Sequence, residues 1–231
     1  MIFEICADSY DAVVLAEKYK VKRVELCSAL SLGGLTPSLG LIEKCAEIND
    51  VEIHVMIRHK EGDFVYSSDD IEIMESDIIN AKKAGAKGVV FGCLNTANEI
   101  DIKQNKLLYK LSRSLGLEVT FHRAFDFCAS PQESLEELIN IGFDRLLSSG
   151  QKNTAEEGIP LLNDLVHLSN SRIQIMAGSG VNSINALSIA ETNVVALHFT
   201  SHLKSSGSNN LGMGFHHQQD ELKIKSIIEL F

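Results

Sequence analysis

The chain reads as a TIM barrel, a closed ring of eight parallel strands each followed by a helix, forming one domain over residues 1–231. Two observations carry this expectation. Eight short β-rich runs alternate with stretches of helical spacing, in a length close to the roughly 250 residues typical of this fold. Glycines also close several helical stretches just ahead of a strand. An open doubly wound sheet is the runner-up. It expects a G-x-G-x-x-G turn after its first strand, where this chain has CADSYD.

The elements follow in order. IFEIC (2–6) precedes YDAVVLAEKY (10–19), whose apolar residues recur at helical spacing; RVELC (23–27) opens into a glycine-containing loop and then the helical pattern LIEKCAEI (41–48). EIHVMIR (52–58) leads to DDIEIMESDIINAKKAG (69–85), and GVVFG (88–92) to a helical stretch that Gly116 closes. EVTFHR (118–123) leads to SPQESLEELINIG (130–142), where Ser130 suits an N-cap, Pro131 the first turn, and Glu133 completes a capping box. RLLSS (145–149), RIQIMAG (172–178) and VVALHFT (194–200) complete the strands, with a helix expected in NSINALSIA (182–190). Gly85, Gly116 and Gly142 sit where a helix C-terminus takes positive φ. Residues 201–218, rich in Ser, Gly and Asn, read as an irregular loop before the closing helix DELKIKSIIELF.

A formal charge of −10 and a pI near 5.3 argue against a nucleic-acid or anionic-membrane surface, which needs a concentrated basic stripe. No basic stretch leads into a long apolar run at the start, and no run reaches membrane-spanning length, so a cytoplasmic location is expected. In a reducing compartment the five cysteines, with no C-x-x-C spacing, read as free thiols, buried residues or metal ligands.

Strand parity supplies candidate interior residues. One face of each strand must be apolar to pack on the helices, and the other then points into the barrel. Phe3 and Ile5 turn Glu4 and Cys6 inward; Val24 and Leu26 turn Glu25 and Cys27 inward; Ile53, Val55 and Ile57 turn His54, Met56 and Arg58 inward. Likewise Thr120, His122, Gln174, Met176, Ala196, His198 and Thr200 face the interior, while the fourth and sixth strands do not alternate cleanly. Such barrels are normally filled with branched aliphatic side chains, so this interior is unusually polar. Glu4 and Glu25 then need Arg58, an imidazolium or a metal as partner. Two readings fit: a self-satisfied polar core, or a functional site. Function in these barrels collects at the C-terminal strand ends, where Cys6, Cys27, Arg58, His122, Arg123, Asp126 and Gly178 to Gly180 fall.

The blocks FEIC, VELCSALSLGGLTPS, MIRHKEGDFVYS, GVVFG, TFHRAFD, RLLSSGQ and IMAGSGV, in this order from Ile2 to about Thr200, resemble the CutC family of copper homeostasis proteins. The third-strand block departs from the family's common arginine-proline-arginine-glycine-glycine-aspartate-phenylalanine: Arg58, Gly62, Asp63 and Phe64 are kept, and His59, Lys60 and Glu61 differ. The resemblance implies a TIM barrel, a cytosolic protein linked to copper handling, copper(I) binding through cysteines, and a homo-oligomer.

Copper(I) prefers thiolates, thioethers and imidazoles in low coordination number. Cys6 and Cys27 occupy equivalent places on consecutive strands, about 4.8 Å apart in a parallel sheet, so the two thiolates are candidate ligands, with Met56 or Met176 as weak extra donors. The competing view makes each cysteine a small buried hydrophobe, which is the reading for Cys45, Cys93 and Cys128. His216 and His217 read as exposed loop residues. The alternative function is an enzyme of lyase, isomerase or hydrolase class acting on a small anionic substrate, phosphorylated or not. In that case Gly178, Ser179 and Gly180 open onto a helix whose N–H groups hold the anion, Arg58 and Arg123 add positive charge, Glu25 or His122 moves a proton, and Asp126 orients His122. A carrier or sensor without turnover is the third class.

Overall fold

The structure, a computed structural model, describes residues 1–202 and 218–231. Eight parallel strands close in chain order: β1 (Ile2–Ala7), β2 (Arg23–Leu26), β3 (Glu52–Met56), β4 (Gly88–Phe91), β5 (Glu118–Phe121), β6 (Arg145–Ser148), β7 (Gln174–Gly178) and β8 (Ala196–Thr200). Pairing of β8 with β1 leaves no sheet edge. The helices are α1 (Tyr10–Lys18), α2 (Leu39–Ala46), α3 (Ser68–Lys83), α4 (Ile102–Ser114), α5 (Pro131–Ile141), α6 (Ile159–Ser169), α7 (Ala186–Ala190) and α8 (Glu221–Ile228). The fold is the TIM barrel that the rhythm of the sequence predicts. His216, His217 and most of the loop expected over 201–218 lie outside the described residues.

Parity divides the core in two. Ile5, Val24, Leu26, Ile53, Val55, Val119, Phe121, Ile175, Leu197 and Phe199 join the buried helix residues in one large apolar layer around the barrel. Inside the barrel, apolar contact among the described residues is confined to two small groups, Cys6 with Cys27, Met56 and Val90, and Leu147 with Met176 and Ala196. The groups show why β4 and β6 defeat an alternation test: Val90 and Leu147 are apolar on the inner face as well.

The helix starts show where the sequence rules hold. Ser9 and Ser38 cap α1 and α2, and Ser67 with Asp70 forms a reciprocal capping box on α3. The box expected at Ser130 and Glu133 does not form, because the Ser130 hydroxyl makes no cap bond. Serines that cap here have ψ between 147° and 173°, whereas Ser130 has ψ 97°. At comparable ψ, 90° and 94°, the caps on α4 and α8 are made by Asp101 and Asp220, whose side chains reach one atom further. Gly85, Gly116 and Gly142 do take positive φ, at 103°, 70° and 107°.

Candidate thiol site and the cavity above it

Cys6 and Cys27 do not share a rung of the sheet. In the β1–β2 ladder Cys6 pairs with Glu25, and Cys27, just past β2, donates its N–H to the carbonyl of Ala7. The equivalent placement expected from sequence is therefore corrected by one inward position. The sulfurs still lie 4.0 Å apart, since both side chains point inward from tilted, staggered strands. Glu25 Oε2 stands to one side of both, 3.3 Å from Cys6 Sγ and 3.5 Å from Cys27 Sγ. Cys27 is fully buried, while Cys6 keeps 6 % of its surface exposed and reaches a cavity.

Below the thiols lies a paired charge network. Glu4 bonds Arg23 through one oxygen and His198 Nδ1 through the other, at 2.8 Å, and His198 Nε2 is 3.6 Å from Glu25. Burial works against the Glu4 carboxylate, but the His198 hydrogen bond and Arg23 outweigh it and hold its pKa well below the usual range. Burial also works against the His198 imidazolium, and Glu25, Cys6 and Glu4 together outweigh it and raise its pKa. The hydrogen bond from Cys27 pulls the Cys6 thiol down to about 5 against its own burial, with His198 adding to the effect. The same contact and burial push Cys27 up, and burial followed by the charge on Cys6 pushes Glu25 up. Glu4, His198, Cys6, Glu25 and Cys27 therefore form one buried, mutually coupled cluster, in which Cys6 is pulled down and Cys27 and Glu25 are pushed up. Chemically this is a buried, acidified thiol beside a histidine whose pKa is raised, with a second sulfur 4.0 Å away.

A cavity of about 850 Å³ opens above this floor at the C-terminal strand ends. Cys6, Glu25, Met56 and His198 form its base; Arg58, His122, Arg123, Ser179, Gly180 and Lys223 are on its walls and rim. Most candidates from sequence thus share one chamber, but several of their roles change. Arg58 does not meet Glu4 or Glu25; its guanidinium bonds the carbonyls of Leu32, Gly34 and Gly62. Asp126 does not orient His122. A 3-10 turn over Arg123–Phe127 swings its carboxylate to the end of β6, where it accepts from Ser148 Oγ, the Ser149 N–H and hydroxyl, the Gln151 N–H and Arg123 Nε. His122 instead accepts at Nδ1 from the Ala124 N–H, and burial together with Arg58 lowers its pKa to about 3, so it stays neutral. The helix expected over 182–190 is shortened to α7, because Asn182 and Asn185 side chains fold residues 182–185 into a turn. Ser179 and Gly180 therefore reach the cavity without a helix terminus behind them. Gly178 is a packing glycine, where a Cβ would meet Leu147 and His198.

Arg23 and Arg145 are interior residues that the assigned parity leaves out. Arg23 is two residues before Glu25 and on the same face, so the signal is present; Arg145 lies on β6, whose pattern does not alternate. At the opposite end of the barrel Glu52, His54 and Glu118 also bring potential ligand atoms within 4.8 Å of one another. Arg145 already bonds Glu118, and burial with the charge of Arg145 holds His54 well below its ordinary pKa, an environment that opposes a cation. Cys45, Cys93 and Cys128 are buried, with thiol pKa values pushed up chiefly by burial, as packing residues should be.

A sequence model of the CutC family matches residues 1–203. The chain belongs to the CutC family. A CutC family protein of Glaesserella parasuis is 48 % identical over 201 residues, covering 87 % of this chain and 82 % of the relative. One from Vibrio vulnificus is 45 % identical over 189 residues, covering 82 % and 76 %. The crystal structure of a CutC from Streptococcus agalactiae superposes with a TM-score of 0.81 at 34 % identity, over 86 % of this chain and 98 % of that one. A thiamine phosphate pyrophosphorylase from Pyrococcus furiosus, at 13 % identity and TM-score 0.62 over 99 % and 94 %, shares the barrel fold alone. Among the described residues of this CutC family member, no helix is long and apolar enough to cross a membrane.

Proposed function

We propose that this CutC family member takes part in copper homeostasis in the cytoplasm by binding copper(I) through Cys6 and Cys27. The observation that carries this reading is the 4.0 Å separation of the two sulfurs. Two sulfurs each about 2.3 Å from one ion stand about 4 Å apart when the sulfur–metal–sulfur angle is near 120°. That is a trigonal arrangement, suited to a soft ion of low coordination number, with Glu25 placed near the third position. Copper(I) here is cargo rather than a resident cofactor. The Streptococcus agalactiae relative carries a copper homeostasis name, and the five cysteines of this chain, all free, suit a reducing compartment. Anaerobic titration with copper(I) against a competing chelator tests the reading: one ion per chain is expected, lost in Cys6→Ser and in Cys27→Ser. Unchanged stoichiometry in both variants would sink it.

A second reading is favoured by the cavity, whose volume of about 850 Å³ far exceeds what an ion needs and suits a small organic ligand. In this reading the chain is an enzyme acting on a small anionic substrate. Glu25, Cys6 and His198 exchange protons at the base, while neutral His122 polarises rather than deprotonates.

A further inference from the structure

Three arginines are almost completely buried: Arg23, Arg58 and Arg145. Arg23 is paired with Glu4 and Arg145 with Glu118. Arg58, only 4 % exposed, has no carboxylate within ion-pair distance among the described residues, although Glu61 and Asp63 line the same cavity. Its two Nη atoms are held by the three backbone carbonyls already named, and its Nε has no partner. Neutral carbonyls fix the fork in place but supply no opposite charge, and a buried charge without a counter-ion is costly.

A second unanswered donor lies beside it. The ring of Phe64 packs 5.2 Å from the Arg58 guanidinium and 5.0 Å from the His122 ring. Because His122 Nδ1 accepts from the Ala124 N–H, the neutral imidazole carries its proton on Nε2, and that buried nitrogen also lacks a partner. Two N–H donors, one cationic and one neutral, therefore belong to residues that line one cavity, and neither nitrogen has a hydrogen-bond partner among the described residues. The remaining walls include Leu30, Leu94, Leu147 and Phe199, which offer apolar surface to the body of a ligand. Glu25 Oε1, another buried atom without a partner, belongs to the base.

We propose that the cavity binds a small organic anion whose carboxylate or phosphate oxygens are taken by Arg58 Nε and His122 Nε2, with its apolar part against the leucine and phenylalanine walls. This rests on the second reading above and names its recognition group. Both nitrogens are shut off from solvent in the free protein, so anion binding requires a side-chain movement, and Phe64, whose ring neighbours both the Arg58 guanidinium and the His122 ring, is the side chain placed to make it.

The test uses the full chain, reduced and kept metal-free with a chelator. Calorimetric titration with benzoate, phenyl phosphate and inorganic phosphate is compared with neutral benzamide. At least one organic anion is expected to bind one per chain and at least tenfold more tightly than benzamide. His122→Phe keeps a ring against Phe64 but removes the donor, and should weaken that anion about tenfold; Arg58→Gln should abolish its binding. Since Arg58 also braces three carbonyls, the His122 variant decides the matter if the Arg58 variant does not fold. Benzamide binding as tightly as the anions would overturn anion recognition while sparing the small-molecule cavity. Binding by none of the probes would overturn both, and equal anion binding in wild type and His122→Phe would overturn the assigned donors. In metal-free protein none of these outcomes bears on the thiols.

Discussion

Glu4 and Arg23 face each other directly across the β1–β2 ladder and form an ion pair inside the barrel, each almost wholly buried. The other Glu4 oxygen holds His198, so this pair fixes the imidazole that stands beside Glu25 and Cys6. Removing one member strands a charge in a place water does not reach. Glu4→Gln or Arg23→Met alone is expected to cost about 3–5 kcal/mol of stability, and the double variant clearly less than the sum. Denaturant unfolding of the three variants checks this; additive costs would show that the two residues do not act as a pair.

His122 gives the protein an acid-sensitive element. Its folded pKa of about 3 lies below the ordinary value of 6.5, so between those values the unfolded chain binds the proton and the folded one does not. The stabilisation is present above pH 6.5 and is lost as pH falls toward 3, at up to about 1.4 kcal/mol per pH unit. Compared with wild type, His122→Phe should show a flatter fall of unfolding free energy over that range. Parallel profiles would mean that the buried imidazole is protonated in the fold.

Asp126 is a brace for the loop after β6 rather than a partner of His122. Asp126→Ala leaves the Ser149 and Gln151 N–H groups without their acceptor and removes the carboxylate partner of Arg123, and should cost about 3 kcal/mol or more. Copper(I) stoichiometry at the thiols should not change. Lowered stoichiometry in a folded Asp126→Ala protein would connect this loop to the metal site.

Much of this arrangement is legible in the sequence because helix packing demands one apolar face per strand, which leaves Glu4, Cys6, Glu25, Cys27, His54 and His198 to the interior. Arg23 obeys the same parity, yet it sits in the basic cluster KVKR and reads as surface charge. Arg145 is hidden because RLLS has apolar residues on both faces. The stagger that brings Cys6 opposite Glu25, and the 3-10 turn that carries Asp126 away from His122, depend on barrel closure and loop geometry, which spacing along the chain does not encode. Arg58 is legible as a cation at a strand end, but that no described carboxylate pairs with it is visible only in three dimensions.

Metal binding at this site should be coupled to protons. Cys6 is pulled down while Cys27 and Glu25 are pushed up, so copper(I) binding to both sulfurs displaces the proton that the thiol pair holds. Affinity should rise about tenfold per pH unit between pH 6 and 8, with about one proton released per ion. Calorimetry in buffers of different ionisation enthalpy measures that number; pH-independent affinity would remove Cys27 from the ligand set.

X-ray absorption at the copper edge of the copper(I)-loaded protein tests the thiol site most directly. Two sulfur neighbours at about 2.3 Å in a three-coordinate site are expected, with the sulfur shell reduced in Cys6→Ser and in Cys27→Ser. A shell of nitrogen and oxygen alone, or a sulfur shell unchanged in both variants, would contradict it.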